Sequence, residues 1–302
     1  MKPTYLGIGA QKCASTWIHR ILQDHPQVCV STPKELDFFS HYYDRGFQWY
    51  ERHFDLGGCI AAGEISPSYF YDSEAPLRAW QYNPHFKIIV ALRDPLERAY
   101  SNHLHEIRAG HHRGDNLSFE AGLANNPMYL EQSRYATHLK RWLARFRRDQ
   151  ILVMFQEEIE LAADEQARRL YQFLEIDARH TSSFAEKRAN ESRKPRLQSL
   201  NMLFKETARW GRNAGFHGAV ARLKHSRLIA GILRANTVSL RSLAPPMLPE
   251  TRRYLERELT GEVLDLADLL GRDTLPWPIW ERAVKYKFVI NSKHGLPNQA
   301  AL

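Results

Sequence analysis

The chain has 302 residues, with 42 Lys and Arg against 34 Asp and Glu and a net charge of +8, so it is basic and long enough to bury a large core. Its 43% hydrophobic and 11% aromatic content, with 16 Gly and 15 Pro, excludes the disordered and fibrous classes. The cysteines, Cys13, Cys29 and Cys59, are odd in number and lack metal-type spacing, so neither a disulfide framework nor a zinc site is expected, and a reducing compartment is the default. No apolar run reaches the roughly 18 residues of a membrane-crossing helix. Met1-Lys2-Pro3 leads straight into a strand-like segment with no room for a secretory leader, and the expectation is a soluble, cytoplasmic protein.

Taken in chain order, short apolar runs predict strands at Tyr5 to Gly9, Ile60 to Ile65, Phe86 to Leu92 and Ile151 to Phe155. Several are nearly continuous and β-branched, as in strands covered on both faces. Helical patterns lie between them at Ser15 to Asp24, Pro95 to Ala109, Tyr135 to Arg147 and Leu161 to Leu174. The alternation implies a parallel sheet with helices on both sides. Asp94, Pro95 and Glu97 stand in the order of N-cap, first helical residue and capping-box partner, which places Arg93 at the carboxyl end of a strand, the edge where open α/β sheets bind ligands. From Gln198 to Leu270 the pattern is mostly helical, ending in the stripe Leu255, Leu259, Val263, Leu266 and Leu270 before Gly271. No internal repeat or low-complexity tract interrupts the chain.

The charge is uneven. Between Lys187 and Arg241 thirteen Lys and Arg face two acids, Glu191 and Glu206. Such a segment suits nucleic acid, an anionic lipid surface, a sulfated or phosphorylated ligand, or solvent alone.

The first strand runs into Gly9-Ala10-Gln11-Lys12-Cys13-Ala14-Ser15-Thr16-Trp17, which gathers small residues, a lysine and two hydroxyls at a helix start. Backbone N–H groups and the positive helix end can cradle an anion there, with Lys12 as a point charge and Ser15 and Thr16 as donors. It is not a Walker A loop, because Lys12 precedes Ser15 by three residues, and it is not G-x-G-x-x-G.

The run Lys12-Cys13-Ala14-Ser15-Thr16-Trp17 resembles the 5′-phosphosulfate loop, K-x-x-x-T-W, of sulfotransferases that use 3′-phosphoadenosine 5′-phosphosulfate (PAPS). Arg93 through Ser101 resembles the second half of that signature, an Arg at a strand end and a Ser eight residues on. Pro33-Lys34-Glu35-Leu36-Asp37-Phe38-Phe39, the Tyr43, Gly46, Trp49 and Tyr50 pattern, and Gly63 to Phe70 are similar to heparan sulfate sulfotransferases and their bacterial relatives. Asn190 to Pro195 resembles the late basic loop of the family, and Leu269-Leu270-Gly271 with Trp277 resembles the C-terminal end of bacterial members. Gln198 to Leu248 carries no family mark.

The resemblance implies a three-layer α/β/α, P-loop-like fold with a central parallel sheet and a mostly helical C-terminal region. It implies one domain over residues 1–302, with a core at 1–197 and a helical extension at 198–302. Lys12 would neutralise the departing phosphate. Cys13, Ala14, Ser15 and Thr16 would hold the 5′-phosphate, and Trp17 would stack on adenine. Arg93 and Ser101 would bind the 3′-phosphate, with Arg193 and Lys194 completing that pocket. Glu35 would be the general base, with Asp37 and His41 in reserve. No metal is required by this scheme.

The acceptor stays open among glycans, lipids, small metabolites and carrier-bound intermediates, with a hydroxyl ahead of an amine. Nucleic acid is not an expected partner, and peripheral membrane contact and oligomeric state are left open. His103, His105, His111 and His112, with Arg108 and Arg113 beside them, read as a basic helix end rather than a metal cluster. Cys13 sits near a helix start, a place that can lower a thiol pKa, without a visible base partner. Two competing readings are a nucleotide kinase and a non-enzymatic polyanion-binding module.

Overall fold

The computed structural model describes residues 2–55, 57–112, 117–185, 193–195, 237–239 and 244–293. It forms two compact units, one of residues 1–102, 123–189 and 247–302, the other of residues 103–122 and 190–246. The first unit holds a five-stranded sheet of order β2-β3-β1-β4-β5, with β1 at Tyr5–Gly9, β2 at Val28–Val30, β3 at Ala61–Ile65, β4 at Lys87–Leu92 and β5 at Ile151–Phe155. Every pairing is parallel, as the alternation of strand and helix predicts. The carboxyl ends of all five strands therefore share one edge.

β1 lies at the centre of the sheet, and its five residues are buried. Tyr5, Leu6, Ile8 and the run Ile88 to Leu92 are all 0% exposed, which is the reason these runs read as continuous rather than alternating. Gly63 in β3 leaves room for β1, since a Cβ there would meet the Tyr5 carbonyl oxygen at 2.1 Å and the Tyr5 ring at 2.7 Å.

The helices that bear on the site are α1 at Ser15–Asp24, α2 at Phe47–Glu51, α3 at Ala75–Tyr82, α4 at Pro95–Ala109, α5 at Phe119–Asn125, α6 at Met128–Glu131 and α7 at Tyr135–Leu143. The predicted helix over Leu161 to Leu174 is α9, Ala163–Leu174, and a further short helix, α8 at Gln156–Leu161, precedes it. Two further helices follow, α10 at Pro249–Leu270 and α11 at Pro278–Lys293. The stripe Leu255, Leu259, Val263 and Leu266 is buried and α10 closes on left-handed Gly271, as its pattern predicts. Thr137 of α7 donates through its N–H (3.0 Å) and its hydroxyl (2.5 Å) to the Glu262 carboxylate of α10.

In the second unit β6, Arg193–Pro195, pairs antiparallel with β7, Thr237–Ser239. The expected helical character of Gln198 to Leu270 thus gives way to a strand at 237–239, where Thr-Val-Ser is β-branched at its first two positions. Most of the basic segment from Lys187 to Arg241 lies outside the described residues, as does Arg113. His103 is 0% exposed, shares a 3.0 Å hydrogen bond with the Leu117 carbonyl and packs edge-on against Phe119.

One strand was not predicted and one expectation is corrected. The strand β2 carries no signal of its own because it is only three residues long. Cys29 within it is joined to Cys59 in a disulfide with Cα atoms 5.8 Å apart, inside the range such bonds span. The parallel pairing of β2 with β3 brings Cys29 level with Ala62, and the turn before β3 carries Cys59 to it. Cysteine spacing along the chain holds no trace of this contact.

Candidate active site

The segment after β1 folds tightly over the central strand. Ala10 N–H donates to the Ala91 carbonyl at 2.7 Å and Cys13 N–H to Ala10 at 3.2 Å. Lys12 (φ 68°) and Ala14 (φ 53°) both adopt left-handed backbone, which turns the chain sharply before α1 starts. Ala14 is the N-cap of α1 and supplies no side-chain acceptor, and no acidic residue stands in the first turn. The leading amides of α1 are thus left without a side-chain cap, as an anion site at a helix start requires. Lys12, Ser15 and Thr16 are half-buried around this turn.

Trp17 is in the core, 4% exposed, and its indole N–H donates to the Ala185 carbonyl at 3.0 Å. Cys13 is 0% exposed, and burial pushes its thiol up to about 11. The shift is opposite to the one a helix start alone favours. Desolvation outweighs the helix end and the nearby Arg98 and Arg93 charges, so the Cys13 thiol is inert at neutral pH.

Arg93 follows β4 directly. Asp94 caps α4, its Oδ1 accepting from the N–H groups of Leu96 (2.9 Å) and Glu97 (3.1 Å). The reciprocal half of the predicted capping box is replaced: Asp94 N–H donates to Glu157 Oε1 at 2.9 Å. Glu97 instead faces Arg93, at 3.5 Å. Glu157 also accepts from Trp277 Nε1 at 3.1 Å, so the C-terminal tryptophan braces the start of α4.

Tyr135 joins the two halves of the site. Its hydroxyl donates to the Arg93 carbonyl at 3.0 Å and lies 3.7 Å from Cys13 Sγ, fixing the β1 loop beside the end of β4. Arg98 is 0% exposed. It donates to Ser133 Oγ at 2.7 Å, to Gln132 Oε1 at 3.1 Å and to the Tyr129 carbonyl. These contacts clamp the first turns of α4, which carries half-buried Ser101, to the segment before α7.

The loop after β2 brings Glu35 to the same edge. Glu35 is exposed, has φ 64° and pairs with Lys34. His19, on α1, feels the charges of this loop. Its imidazole is held down at about 4, first by burial and then by the Lys34 charge, with Glu35 pulling the other way. Asp37 is engaged: its Oδ1 accepts from Ser68 Oγ at 2.5 Å and its N–H donates to Ser66 Oγ at 3.0 Å. His41 is exposed and its N–H donates to the Asp37 carbonyl at 2.8 Å.

Sequence reasoning thus placed Lys12, Ser15, Thr16, Glu35, Arg93 and Ser101 on one unit, at or leading from one sheet edge. Arg193 and Lys194 belong to β6 of the other unit. It missed Tyr135, Arg98 and Glu157, which act across long sequence separations. It quoted Glu64 and Tyr69 only as parts of a motif.

Glu64 is 1% exposed, and burial lifts its carboxyl from 4.5 to about 7 against three hydrogen bonds that favour the charged form. The folded protein therefore binds this proton more tightly than the unfolded chain. The associated stability is full below about pH 4.5 and is lost as pH rises through 7, on the order of 3 kcal/mol. Denaturant unfolding at pH 5 and pH 8 checks this: Glu64→Gln is expected to show a smaller decline across the interval than the unaltered chain.

An uncapped helix start beside an arginine-bearing strand end, at the carboxyl edge of a parallel sheet, is the arrangement that anion sites of α/β proteins use. The sulfotransferase domain family matches residues 3–213, and the chain belongs to that family. It is 31% identical over 172 residues to the human bifunctional heparan sulfate N-deacetylase/N-sulfotransferase 3, covering 50% of this chain and 20% of that protein. It is 28% identical over 300 residues to the mouse enzyme 2 of the same name, covering 93% of this chain and 31% of the relative. The chain therefore spans about a fifth to a third of these relatives. The fold is shared with a sulfotransferase from Alicyclobacillus acidocaldarius, with TM-score 0.66 and 22% identity over 91% of this chain and 98% of that one.

Proposed function

We propose that this sulfotransferase-family protein uses PAPS as donor and transfers its sulfuryl group to a hydroxyl, less readily an amine, of a carbohydrate. The observation that carries the reading is the bridge made by Tyr135, which holds the uncapped start of α1 and the Arg93 end of β4 together. On this reading an anion cradle and a phosphate-binding arginine share one site. PAPS, when bound, supplies the sulfuryl group and a phosphate leaving group.

On this reading the amides of Cys13 to Thr16 and the hydroxyls of Ser15 and Thr16 hold the 5′-phosphate. Lys12 neutralises charge on the oxygen released as the sulfur–oxygen bond breaks. Arg93 and Ser101 take the 3′-phosphate. Trp17 is buried in the first turn of α1, its indole N–H held by the Ala185 carbonyl. Glu35 accepts the acceptor proton as the new bond to sulfur forms. Asp37 is the poorer base because Ser68 already donates to its carboxylate, whereas Glu35 is exposed.

A carbohydrate acceptor is supported by the relatives, which are named for heparan sulfate. The test is incubation with sulfur-labelled PAPS and a panel of N-acetylated heparosan, de-N-sulfated heparan oligosaccharide, a lipid hydroxyl and small phenols, with the sulfate located by mass spectrometry. Label on a saccharide hydroxyl is the expected outcome. Label confined to the amine or to non-carbohydrates overturns the acceptor assignment, and ATP turnover without sulfate transfer favours the kinase alternative.

A further inference from the structure

The loop that carries Glu35 rests on a buried carboxylate that donor binding does not use. Glu64 accepts hydrogen bonds from Leu36 N–H at 3.0 Å, Ser66 Oγ at 2.5 Å and Tyr69 Oη at 2.6 Å. The Leu36 N–H belongs to the peptide group whose carbonyl is that of Glu35, so Glu64 grips the backbone at the base itself. Ser66 extends the grip by one residue, donating to Glu64 while its oxygen accepts the Asp37 N–H at 3.0 Å. Ser68 then donates to the Asp37 carboxylate and shares a 2.8 Å hydrogen bond with Ser40. The rings of Tyr5 and Tyr50 complete the enclosure, and both tyrosines sense the Glu64 charge.

Two features argue that this network sets geometry rather than only stability. A buried carboxylate is a weak stabilising device when apolar side chains of similar volume could fill the space. Glu35 and Asp37 both hold left-handed backbone, with φ of 64° and 50°, a conformation that residues bearing a Cβ keep only where the surroundings over-determine it. The amides of the residues that follow Glu35 and Leu36 are the groups Glu64 and Ser66 hold.

We propose that Glu64 is a positioning residue for the acceptor-side base: through Leu36 and Ser66 it fixes the backbone on which Glu35 meets the acceptor. The inference rests on Glu35 being the base of the proposed transfer. It predicts a kinetic split. Glu64→Ala is expected to lower kcat on a de-N-sulfated heparan or heparosan acceptor roughly tenfold or more, with KM and the affinity for adenosine 3′,5′-bisphosphate within about twofold. Glu64→Gln keeps an oxygen for Leu36 and is expected to restore kcat to within about threefold of the unaltered chain.

If Glu64→Ala does not fold, Ser66→Ala carries the test, with kcat expected to fall several-fold at unchanged nucleotide affinity. A folded Glu64→Ala with unchanged kcat overturns the proposal, as does a parallel loss of kcat and nucleotide affinity that Glu64→Gln does not repair. Should the unaltered chain sulfate no acceptor in the panel, the transfer reading fails on its own. Hydrogen exchange at the Leu36 and Asp37 amides then decides the positioning claim: faster exchange in Glu64→Ala with recovery in Glu64→Gln supports it, and unchanged exchange overturns it.

Discussion

Replacing Lys12 with alanine is expected to reduce kcat for sulfuryl transfer by about two to three orders of magnitude, the usual cost of removing one group that stabilises charge developing in the transition state. The substitution is a clean probe because of where Lys12 sits. Its backbone is left-handed at φ 68°, a conformation that costs alanine and lysine alike because both carry a Cβ. The half-buried side chain belongs to a loop held by backbone hydrogen bonds at Ala10 and Cys13. Stability should therefore change by no more than about 0.5 kcal/mol. Lys12→Arg retains charge but spreads it over a planar group, and should recover only part of the rate. Steady-state kinetics beside thermal melts of the variants check both statements, and an unchanged kcat in Lys12→Ala would remove the lysine from the mechanism.

Arg93→Ala is expected to weaken adenosine 3′,5′-bisphosphate by roughly 10- to 100-fold, as for loss of one charge-assisted hydrogen-bonded contact of about 1.5–3 kcal/mol. Adenosine 5′-monophosphate lacks the 3′-phosphate and should bind both proteins about equally, so the ratio of the two affinities is the informative quantity. The structure favours a local effect. The Arg93 side chain is 19% exposed and 3.5 Å from Glu97, a pairing that a partly exposed pair holds weakly. The Arg93 backbone is fixed independently by Tyr135 and by Glu157 on the next amide. Calorimetric titration of the two nucleotides into both proteins measures the ratio. A uniform loss of both affinities would show that Arg93 shapes the site without reading the 3′-phosphate.

The elements that place these residues were legible because each announces itself locally. Tyr5 to Gly9 and Ile151 to Phe155 are short apolar runs bounded by polar residues, and α1 and α4 begin where hydroxyls, aspartate and proline say they should. Contacts between distant segments were not legible. Tyr135 reaches Arg93 across 42 positions and Arg98 reaches Tyr129 across 31, and neither spacing carries a pattern. The capping box shows the same limit, because Glu97 stands at the right position while Glu157, 63 residues away, makes the hydrogen bond. The Cys29 to Cys59 pair follows from the pairing of β2 with β3 and the turn before β3. Glu64 falls between these cases: its motif was visible, but only folding reveals that its carboxylate lies beneath Leu36.

The central claim is that this sheet edge binds the nucleotide of PAPS through both of its phosphate positions. Thermal unfolding with adenosine 3′,5′-bisphosphate at about a thousandfold excess over its dissociation constant tests it most directly, since ligand binding to the folded state alone then contributes about 4 kcal/mol. The account predicts a rise in melting temperature on the order of 10 °C, a smaller rise with adenosine 5′-monophosphate, and loss of that difference in Arg93→Ala. No rise with the bisphosphate, or equal rises with both nucleotides, would contradict it.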